Sequence, residues 1–430
     1  MKKYDSYKDS GVEWIGEIPN SWKKSKFKYV CRLQTGNSLN DEQKVLYESE
    51  NSDDIPYVSS KDINVEFKTV NYNNGLRIPK EDNRLKISPK GSFLMVIEGG
   101  SSGRKIVYLD TDVCFVNKLC SFSSEENTKF LYYFVQSSNY QGKFRLSISG
   151  LIGGVSVSNL KEFELILPPL HEQQQIVSYL DIKTSLIDSL IQKTQRKIEL
   201  LKEKRTSLIN EVVTKGLNPN VEMKDSGVEW IGEIPIHWDR LPLKQFGQVT
   251  LGKMLTSEDK GGYYLKPYLR SKNIQVERVD VSDVKEMWFS GSELEKLKLE
   301  KRDLLLNEGG DVGRTCIWLN EIDECYIQNS VNRVRFEKDD DRYFLHLSVL
   351  YHSVGYYDSL VDRVSIPHLT KEKLESVLFL RPPLSEQQQI VSYLDEQTQL
   401  IDNTISIEKK RIELLKEYRQ SLISEVVTGK

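Results

Sequence analysis

The chain is written twice. Lys8 to Pro19 reads KDSGVEWIGEIP, and the same twelve residues return from Lys224 to Pro235; Glu172 to Asp181 reads EQQQIVSYLD and returns from Glu386 to Asp395. The copies lie just over two hundred residues apart, far beyond the period of a solenoid or a propeller blade, so each is a domain-sized unit. Two related domains in one chain can stack about an approximate two-fold axis and offer two similar surfaces, as a homodimer does, except that the surfaces are free to differ.

At 430 residues, 38% hydrophobic and 29% charged, the chain is long enough for two to four domains with proper cores. No apolar run approaches the roughly 18 to 20 residues that span a bilayer. The opening MKKYDSYKDSG lacks the apolar core of a signal peptide, so a cytoplasmic chain without a membrane segment is expected. Cys31, Cys114, Cys120, Cys316 and Cys325 form no CxxC pair and have no histidine at ligand spacing, so reduced thiols and no metal site are expected. A net charge of −3 and a pI near 6.1 argue against gripping nucleic acid through bulk charge. Such binding would rest on local patches or be shared with a more basic partner.

Each copy has three parts. A short opening carries two tryptophans, Trp14 and Trp22 in the first copy and Trp230 and Trp238 in the second, and its Gly, Pro and aromatic content predicts a turn-rich segment pinned to a core. A variable block follows, roughly 25–165 and 241–380, with short β-prone runs such as FLMVIE (93–98), RKIVYL (104–109) and TCIWL (315–319) broken by Gly, Asn, Asp and Ser; it predicts a mixed, mainly β domain.

The third part is a long helix after Pro168-Pro169 and Pro382-Pro383. Ser385 with Gln388 has capping-box spacing, while His171 makes a poorer cap in the first copy. Apolar residues then alternate steps of four and three: Ile187, Ile191, Thr194, Ile198, Leu201, Arg205, Leu208 and Val212, answered by Ile401, Ile405, Glu408, Ile412, Leu415, Arg419, Leu422 and Val426. That 3.5-residue period predicts a coiled-coil seam rather than a helix lying on a globular core, each seam pairing with the other. The polar entries Thr194, Glu408, Arg205 and Arg419 are candidates for setting register or for a solvated edge.

A two-fold relation makes the two helices antiparallel and carries the variable blocks to opposite ends of a rod. The expected fold is α+β: two pseudo-two-fold related mixed, mainly β domains separated by two long antiparallel coiled-coil helices. The first domain spans 1–167, the first long helix 168–216, linker (LNPNVEM, 217–223) and second domain 217–381, and the second long helix 382–430.

Openings and helices are near copies while the central blocks have drifted, as expected when a scaffold must stay two-fold and its two working surfaces must recognise different things. A shared trace survives in the blocks. PYVSSKDI (56–63) pairs with PYLRSKNI (267–274), which aligns Ser59, Ser60 and Lys61 with Arg270, Ser271 and Lys272; EGGSSGR (98–104) pairs with EGGDVGR (308–314). A GGxxGR loop after a strand offers N–H groups and an arginine, Arg104 or Arg314, to a phosphate. The structural reading, a glycine-dependent chain reversal, is favoured. Candidate base readers are Arg, Lys, Asn and Gln where the copies differ, the types that make bidentate contacts with base edges. They are Arg77, Arg84, Lys105, Lys118 and Arg145 in the first block and Arg270, Asn273, Gln328, Asn329 and Arg363 in the second. Any one of them alone is better read as a solvated surface residue.

Catalytic signatures are missing: there is no GxxxxGK[ST], HExxH or GxSxG, and His171, His237, His346, His352 and His368 do not cluster in sequence. LPPL (167–170) and RPPL (381–384) lack the leading Asn or Asp and the closing aromatic residue of an adenine-methyltransferase motif, and are read as helix stops.

The tandem layout, the opening DSGVEWIGEIP, the helix start PPLxEQQQIVSYLD and the helix end ELLKExRxSLIxEVVT together resemble the specificity subunit of a type I restriction-modification system, over essentially the whole chain. The resemblance implies two domains that each read one half of a bipartite double-stranded DNA target, with the long helices as ruler and docking site for two methyltransferase subunits, which restriction subunits join. It also implies a subunit with no chemistry of its own, S-adenosylmethionine, ATP and Mg being bound by the partners and adenine being methylated at N6. The rival readings are a coiled-coil adaptor that spaces two protein-binding heads, which leaves the polar base-reading set unexplained, and an enzyme using the GGxxGR loops, for which no acid or base is evident. Purified chain incubated with labelled S-adenosylmethionine and mixed-sequence duplex is expected to incorporate no label; incorporation by a preparation free of methyltransferase would overturn that expectation.

Overall fold

The computed structural model describes residues 4–66, 68–125, 127–150, 153–361 and 368–430. They divide into two compact units, one running to Lys197 and including Glu408–Lys430, the other comprising Ile198–Ile407. Each unit thus holds one copy's opening and variable block together with the C-terminal end of the other copy's long helix.

The two variable blocks share a topology that their sequences no longer show. In the first, Ile106–Tyr108, Phe93–Val96, Leu119–Ser123 and Arg32–Thr35 lie side by side in that order as an antiparallel sheet. In the second, Thr315–Ile317, Leu304–Asn307, Val331–Phe336 and Gly247–Leu251 repeat the order. A further small sheet in each contains one parallel pair, Ile55–Val58 with Val113–Phe115 and Tyr264–Leu269 with Tyr326–Ile327.

The β-prone runs are central strands covered on both faces. Phe93 and Met95 point into the core that also holds the helices, while Leu94 and Val96 point into a separate small core; Leu304 and Leu306 are divided from Leu305 in the same way. The two-residue side-chain period of a strand makes this division, and burial on both faces explains why the runs are continuously apolar rather than alternating.

The chain reversal after each of these central strands is the GGxxGR loop. Its third glycine has φ +74° at Gly103 and +76° at Gly313, and a Cβ there would lie 2.7 Å from Phe144 Cδ1 or 2.1 Å from Tyr357 Cδ2. Both the backbone conformation and the aromatic ring lying on the loop therefore require glycine.

The long helices run Leu170–Lys215 and Leu384–Thr428. The expected Ser385–Gln388 capping box does not form, because the helix already begins at Leu384 and Ser385 lies exposed within its first turn. Buried glutamines tie the helix start instead: Gln173 Nε2 donates to the Pro168 carbonyl at 3.0 Å and Gln387 Nε2 to that of Pro382 at 2.8 Å. This end is the same in both copies, so the difference between His171 and Ser385 carries no weight.

At the seam positions Ile187, Ile191, Ile198, Val212, Ile401, Ile405, Leu422 and Val426 are buried and Leu201, Leu208, Ile412 and Leu415 half-buried. The pairing is antiparallel within each unit. Arg419 Nε and Nη2 donate to Asp188 at 2.9 and 3.2 Å in the first, and Arg205 Nε donates to Asp402 at 3.3 Å in the second. Asp188 and Asp402 occupy the same position of the two copies, as do Arg205 and Arg419, so one register bond is made twice. Glu408 is buried and accepts from Lys197 Nζ at 2.5 Å, while Thr194, at the same position of the first copy, bonds back to the Leu190 carbonyl.

The seam does not run to the helix ends. Ile209 and Val213 enter the core of the second unit, and Ile423 and Val427 that of the first. A coiled-coil stripe in the middle thus becomes a helix lying on a globular core at its end, contrary to the expectation of a seam alone.

Two expectations about stability follow. Gly313→Ala should cost about 2 kcal/mol or more, through a strained left-handed backbone and overlap with a packed ring, and Gly103→Ala should do likewise; denaturant unfolding measures both. Lys68 is the second case: burial, then the neighbouring Arg419, lowers its pKa from 10.5 to about 8. Between those values the unfolded chain binds the proton that the folded chain has lost, so stability rises with pH across that window. Lys68→Met should therefore be more stable than wild type at pH 7, with the gap in melting temperature closing by about pH 10.5.

Candidate nucleic-acid interface

The two traces shared by the variable blocks meet in space. In each unit the Ser-Lys turn, Ser60–Asp62 or Ser271–Asn273, abuts the GGxxGR loop. Lys105 Nζ donates to the Ser60 carbonyl at 2.5 Å, and Arg314 Nη2 to the Ser271 carbonyl at 2.9 Å. Ser271 Oγ donates to Gly309 O at 3.2 Å, and Arg104 bonds the Gly100 carbonyl of its own loop. The shared motif is a clasp between turn and loop.

Capping inside each turn occupies further candidates. Ser59 donates through N and Oγ to Asp62 Oδ2 at 2.8 and 2.6 Å. Asn273 is buried; its Oδ1 accepts from Arg270 N at 3.1 Å and its amide donates to the Asp280 and Asp283 carbonyls at 2.8 and 3.2 Å. What the turns leave exposed are their lysines, Lys61 and Lys272, the latter 3.0 Å from Asp283.

The remaining candidates divide by how firmly the protein holds them. Arg270 donates to Asp283 at 2.7 Å and Arg77 to the Asp54 carbonyl at 3.1 Å and Asn73 at 3.2 Å. Arg84 forks onto Asp82, which its guanidinium and the Tyr47 hydroxyl hold well below the ordinary carboxylate range, yet the Arg84 side chain stays 71% exposed. Lys118 and Arg145 are exposed. Gln328 and Asn329 are half-buried on a bend, where Gln328 Oε1 accepts from Ser330 Oγ at 2.9 Å. Arg363 lies outside the described residues.

Two clefts gather polar groups that the residue types alone did not bring together. In the first unit a cavity of about 640 Å³ sets Arg77 beside Lys80, Lys90 and four aspartates, Asp53, Asp54, Asp110 and Asp112. In the second unit a larger one, about 730 Å³, lies along the edge strand Gly247–Leu251 and is lined by Lys244, Gln245, Gln248, Lys296, Lys338 and Lys371. Arg335 and Arg381 also line it, but their guanidinium groups are engaged by Asp303 and Asp339 at 2.7 and 3.0 Å. The sequence signal for this cleft is QVTL at 248–251, polar residues alternating with apolar ones along a strand.

No helix among the described residues is long and apolar enough to cross a membrane. Among the described residues no three His, Cys, Asp or Glu side chains converge as a metal site would require. His237 and His352 bond Glu386 and Asp311 respectively, each at 2.8 Å, and His346 is buried with neither ring nitrogen hydrogen-bonded.

Comparison with known proteins agrees with this layout. The model of the type I restriction modification DNA specificity domain matches residues 19–200 and again 235–417. The EcoKI specificity subunit of Escherichia coli K12 is 24% identical over 438 residues, covering 96% of this chain and 90% of the relative. The MjaVIII specificity subunit of Methanocaldococcus jannaschii is 27% identical over 295 residues, 64% of this chain and 65% of the relative, so that match spans just under two thirds of it. Two solved structures share the fold at 16% identity. One is a chain from work on complex assembly and conformational transition of the type I R-M system (TM-score 0.70, 95% of this chain and 98% of that one), the other the HsdS subunit from Thermoanaerobacter tengcongensis (0.56, 96% and 98%). With a specificity-domain match in each of its two copies, together covering most of its length, the chain belongs to the family of type I restriction-modification specificity subunits.

Proposed function

We propose that the two units read the two halves of a bipartite duplex target and deliver it to partner subunits, which methylate adenine at N6 and cleave DNA. The observation that carries this reading is one sheet order built twice and dressed with different polar side chains. In the first unit these are Arg77, Lys80 and Lys90 beside aspartates; in the second, Lys244, Gln245 and Gln248 among further lysines. Lysines hold phosphates as point charges and so position the duplex, whereas glutamine amides and arginine forks discriminate base edges. S-adenosylmethionine, ATP and Mg belong to the partners in this reading, and the chain contributes recognition only.

Docking of two methyltransferase subunits is supported by leucines left bare at matching helix positions. Leu186 and Leu400 are 61% and 56% exposed, and Leu200 and Leu414 are 48% and 53%. Each unit carries one residue of each pair, Leu186 and Leu414 in the first and Leu200 and Leu400 in the second, so each offers an equivalent set of exposed apolar side chains to a partner. Restriction subunits would join the complex through those partners. An adaptor that spaces two protein-binding heads would use the leucines but leave the lysine-lined cleft without a role.

Identity of bases belongs to the domains in this reading, and the gap between half-sites to the helices. Inserting four residues after Ile187 adds about one turn, roughly 6 Å, and should change the preferred gap by about 1 to 2 base pairs, or abolish binding through loss of groove phase. The half-site bases should stay as they were. Mapping N6-methyladenine produced by wild-type and inserted chains, each with its methyltransferase partner, decides between these outcomes; an unchanged gap or altered half-site bases would remove the helices as ruler.

A further inference from the structure

A small β-hairpin in each unit reaches away from the sheet toward the long helices. In the first it is Ile63–Asn64 paired with Thr69–Val70, in the second Ile274–Gln275 paired with Arg278–Val279. Both tips retain Val-Glu, Val65-Glu66 and Val276-Glu277, inside blocks that have otherwise drifted. Both also hold a non-glycine residue in the left-handed region, Lys68 at φ +53° and Glu277 at +63°, two of only four such residues among those described. Residues held in that region persist where surrounding contacts over-determine them, and they concentrate at functional positions.

Those contacts are with the helix that arrives from the other copy. In the first unit Glu66 Oε1 lies 2.7 Å from Lys416 Nζ. Lys68 sits in a cleft of about 350 Å³ lined by Val65, Ile191, Asp188 and Arg419, the last two being the register pair of the seam. In the second unit Glu277 Oε2 lies 3.4 Å from Arg205 Nη2, whose Nε bonds Asp402. Glu277 Oε1 is 3.9 Å from Nδ1 of the buried His346. An exposed ion pair is weak by itself, but in the second unit the basic partner, Arg205, is itself held by Asp402 of the opposite helix, so that hairpin docks on a group that cannot follow it, and in the first unit the Glu66–Lys416 pair stands beside Lys68 in the cleft that the fixed Asp188–Arg419 pair lines.

We infer that these hairpins are positioning elements, Glu66 and Lys68 in the first unit and Glu277 in the second, which fix the angle of each recognition domain on its helices and thereby how strictly the gap between half-sites is enforced. The inference rests on the reading that the two units bind two half-sites. It adds specificity-determining residues that lie on the helix side of each domain and read no base.

Charge reversal with rescue tests it in the full chain assembled with its methyltransferase partner. Glu66→Lys, Lys416→Glu and their combination are made in one series, Glu277→Arg, Arg205→Glu and their combination in another, every chain with Arg205→Glu also carrying Asp402→Arg so that the seam pair keeps opposite charges, and N6-methyladenine is mapped by gap length. Each single reversal should raise methylation at gaps one base pair from the preferred one by roughly tenfold, the size expected for loss of one coupled contact, with half-site bases unchanged. Each double reversal should restore the narrow distribution. Should a single reversal prevent folding, Glu66→Gln and Glu277→Gln, which keep side-chain volume, should broaden the distribution in the same direction by less. Wild-type complex that methylates no bipartite sequence would overturn the functional reading and this inference together. A normal bipartite pattern that the reversals leave equally narrow, or that the double reversals do not restore, overturns the inference alone.

Discussion

Two buried indoles hold the repeat together. Trp22 and Trp238 are fully buried, and each donates its Nε1–H to a glutamate in the first turn of its own copy's long helix, Glu172 at 3.2 Å and Glu386 at 3.0 Å. A buried indole N–H without a partner costs about 1–3 kcal/mol, and a carboxylate is best tolerated at a helix N-terminus, where the helix dipole favours it. Opening segment and helix start are thereby bound as a pair, so a change in either strands a polar group in the other. This coupling gives a physical reason why both copies keep a tryptophan three residues after the repeated opening and a glutamate at the head of the repeated helix stretch.

The same core is closed by the other copy. Ile423 and Val427, from the second helix, pack with Trp22 and Ile176, while Val213, from the first, packs with Trp238 and Ile390. Each recognition domain is thus completed by a helix end supplied by its counterpart. The common sheet order, with Phe93 or Leu304 facing one core and Leu94 or Leu305 another, keeps the frame on which the drifted side chains stand.

How much of this was legible in the residues varies with the physics involved. The helices and their seam were readable because a 3.5-residue period is a property of the sequence itself; Arg419 and Arg205 sit at seam positions that the period identified, while their partners Asp188 and Asp402, one residue beyond the seam isoleucines, were not legible from it. The helix ends were misjudged although a signal was present. The adjacent pairs Leu422-Ile423 and Val426-Val427 are too wide for one seam and mark a helix buried on two sides. The cap was misjudged because proline carbonyls replace the serine: Pro169 O accepts from the N–H groups of Glu172 and Gln173, and Pro383 O from those of Glu386 and Gln387. In the candidate interface, residue type cannot separate an available group from an engaged one: Asn273 and Gln248 look alike in sequence, yet one caps a buried turn and the other is exposed on an edge strand.

Most arginines of the candidate interface are already bound. Arg77, Arg84, Arg270 and Arg314 each have a protein acceptor within 3.2 Å, and Arg335 and Arg381 are held by buried aspartates. A guanidinium anchored to a buried carboxylate, such as Arg335 on Asp303, cannot be released without leaving a buried charge unpaired, and it belongs to the fold. One whose acceptor is partly exposed and shared, such as Arg270 on Asp283, which also pairs with Lys272 and Lys285, can exchange a weak pair for a base edge or a phosphate at little cost. With a net charge of only −3 spread over the chain, no strong field has to be overcome as DNA approaches. On the proposed reading, the lysines of the second unit's cleft, several of them free of such tight pairs, would supply the non-specific attraction, and the exchangeable arginines and glutamines the discrimination that differs from one copy to the other.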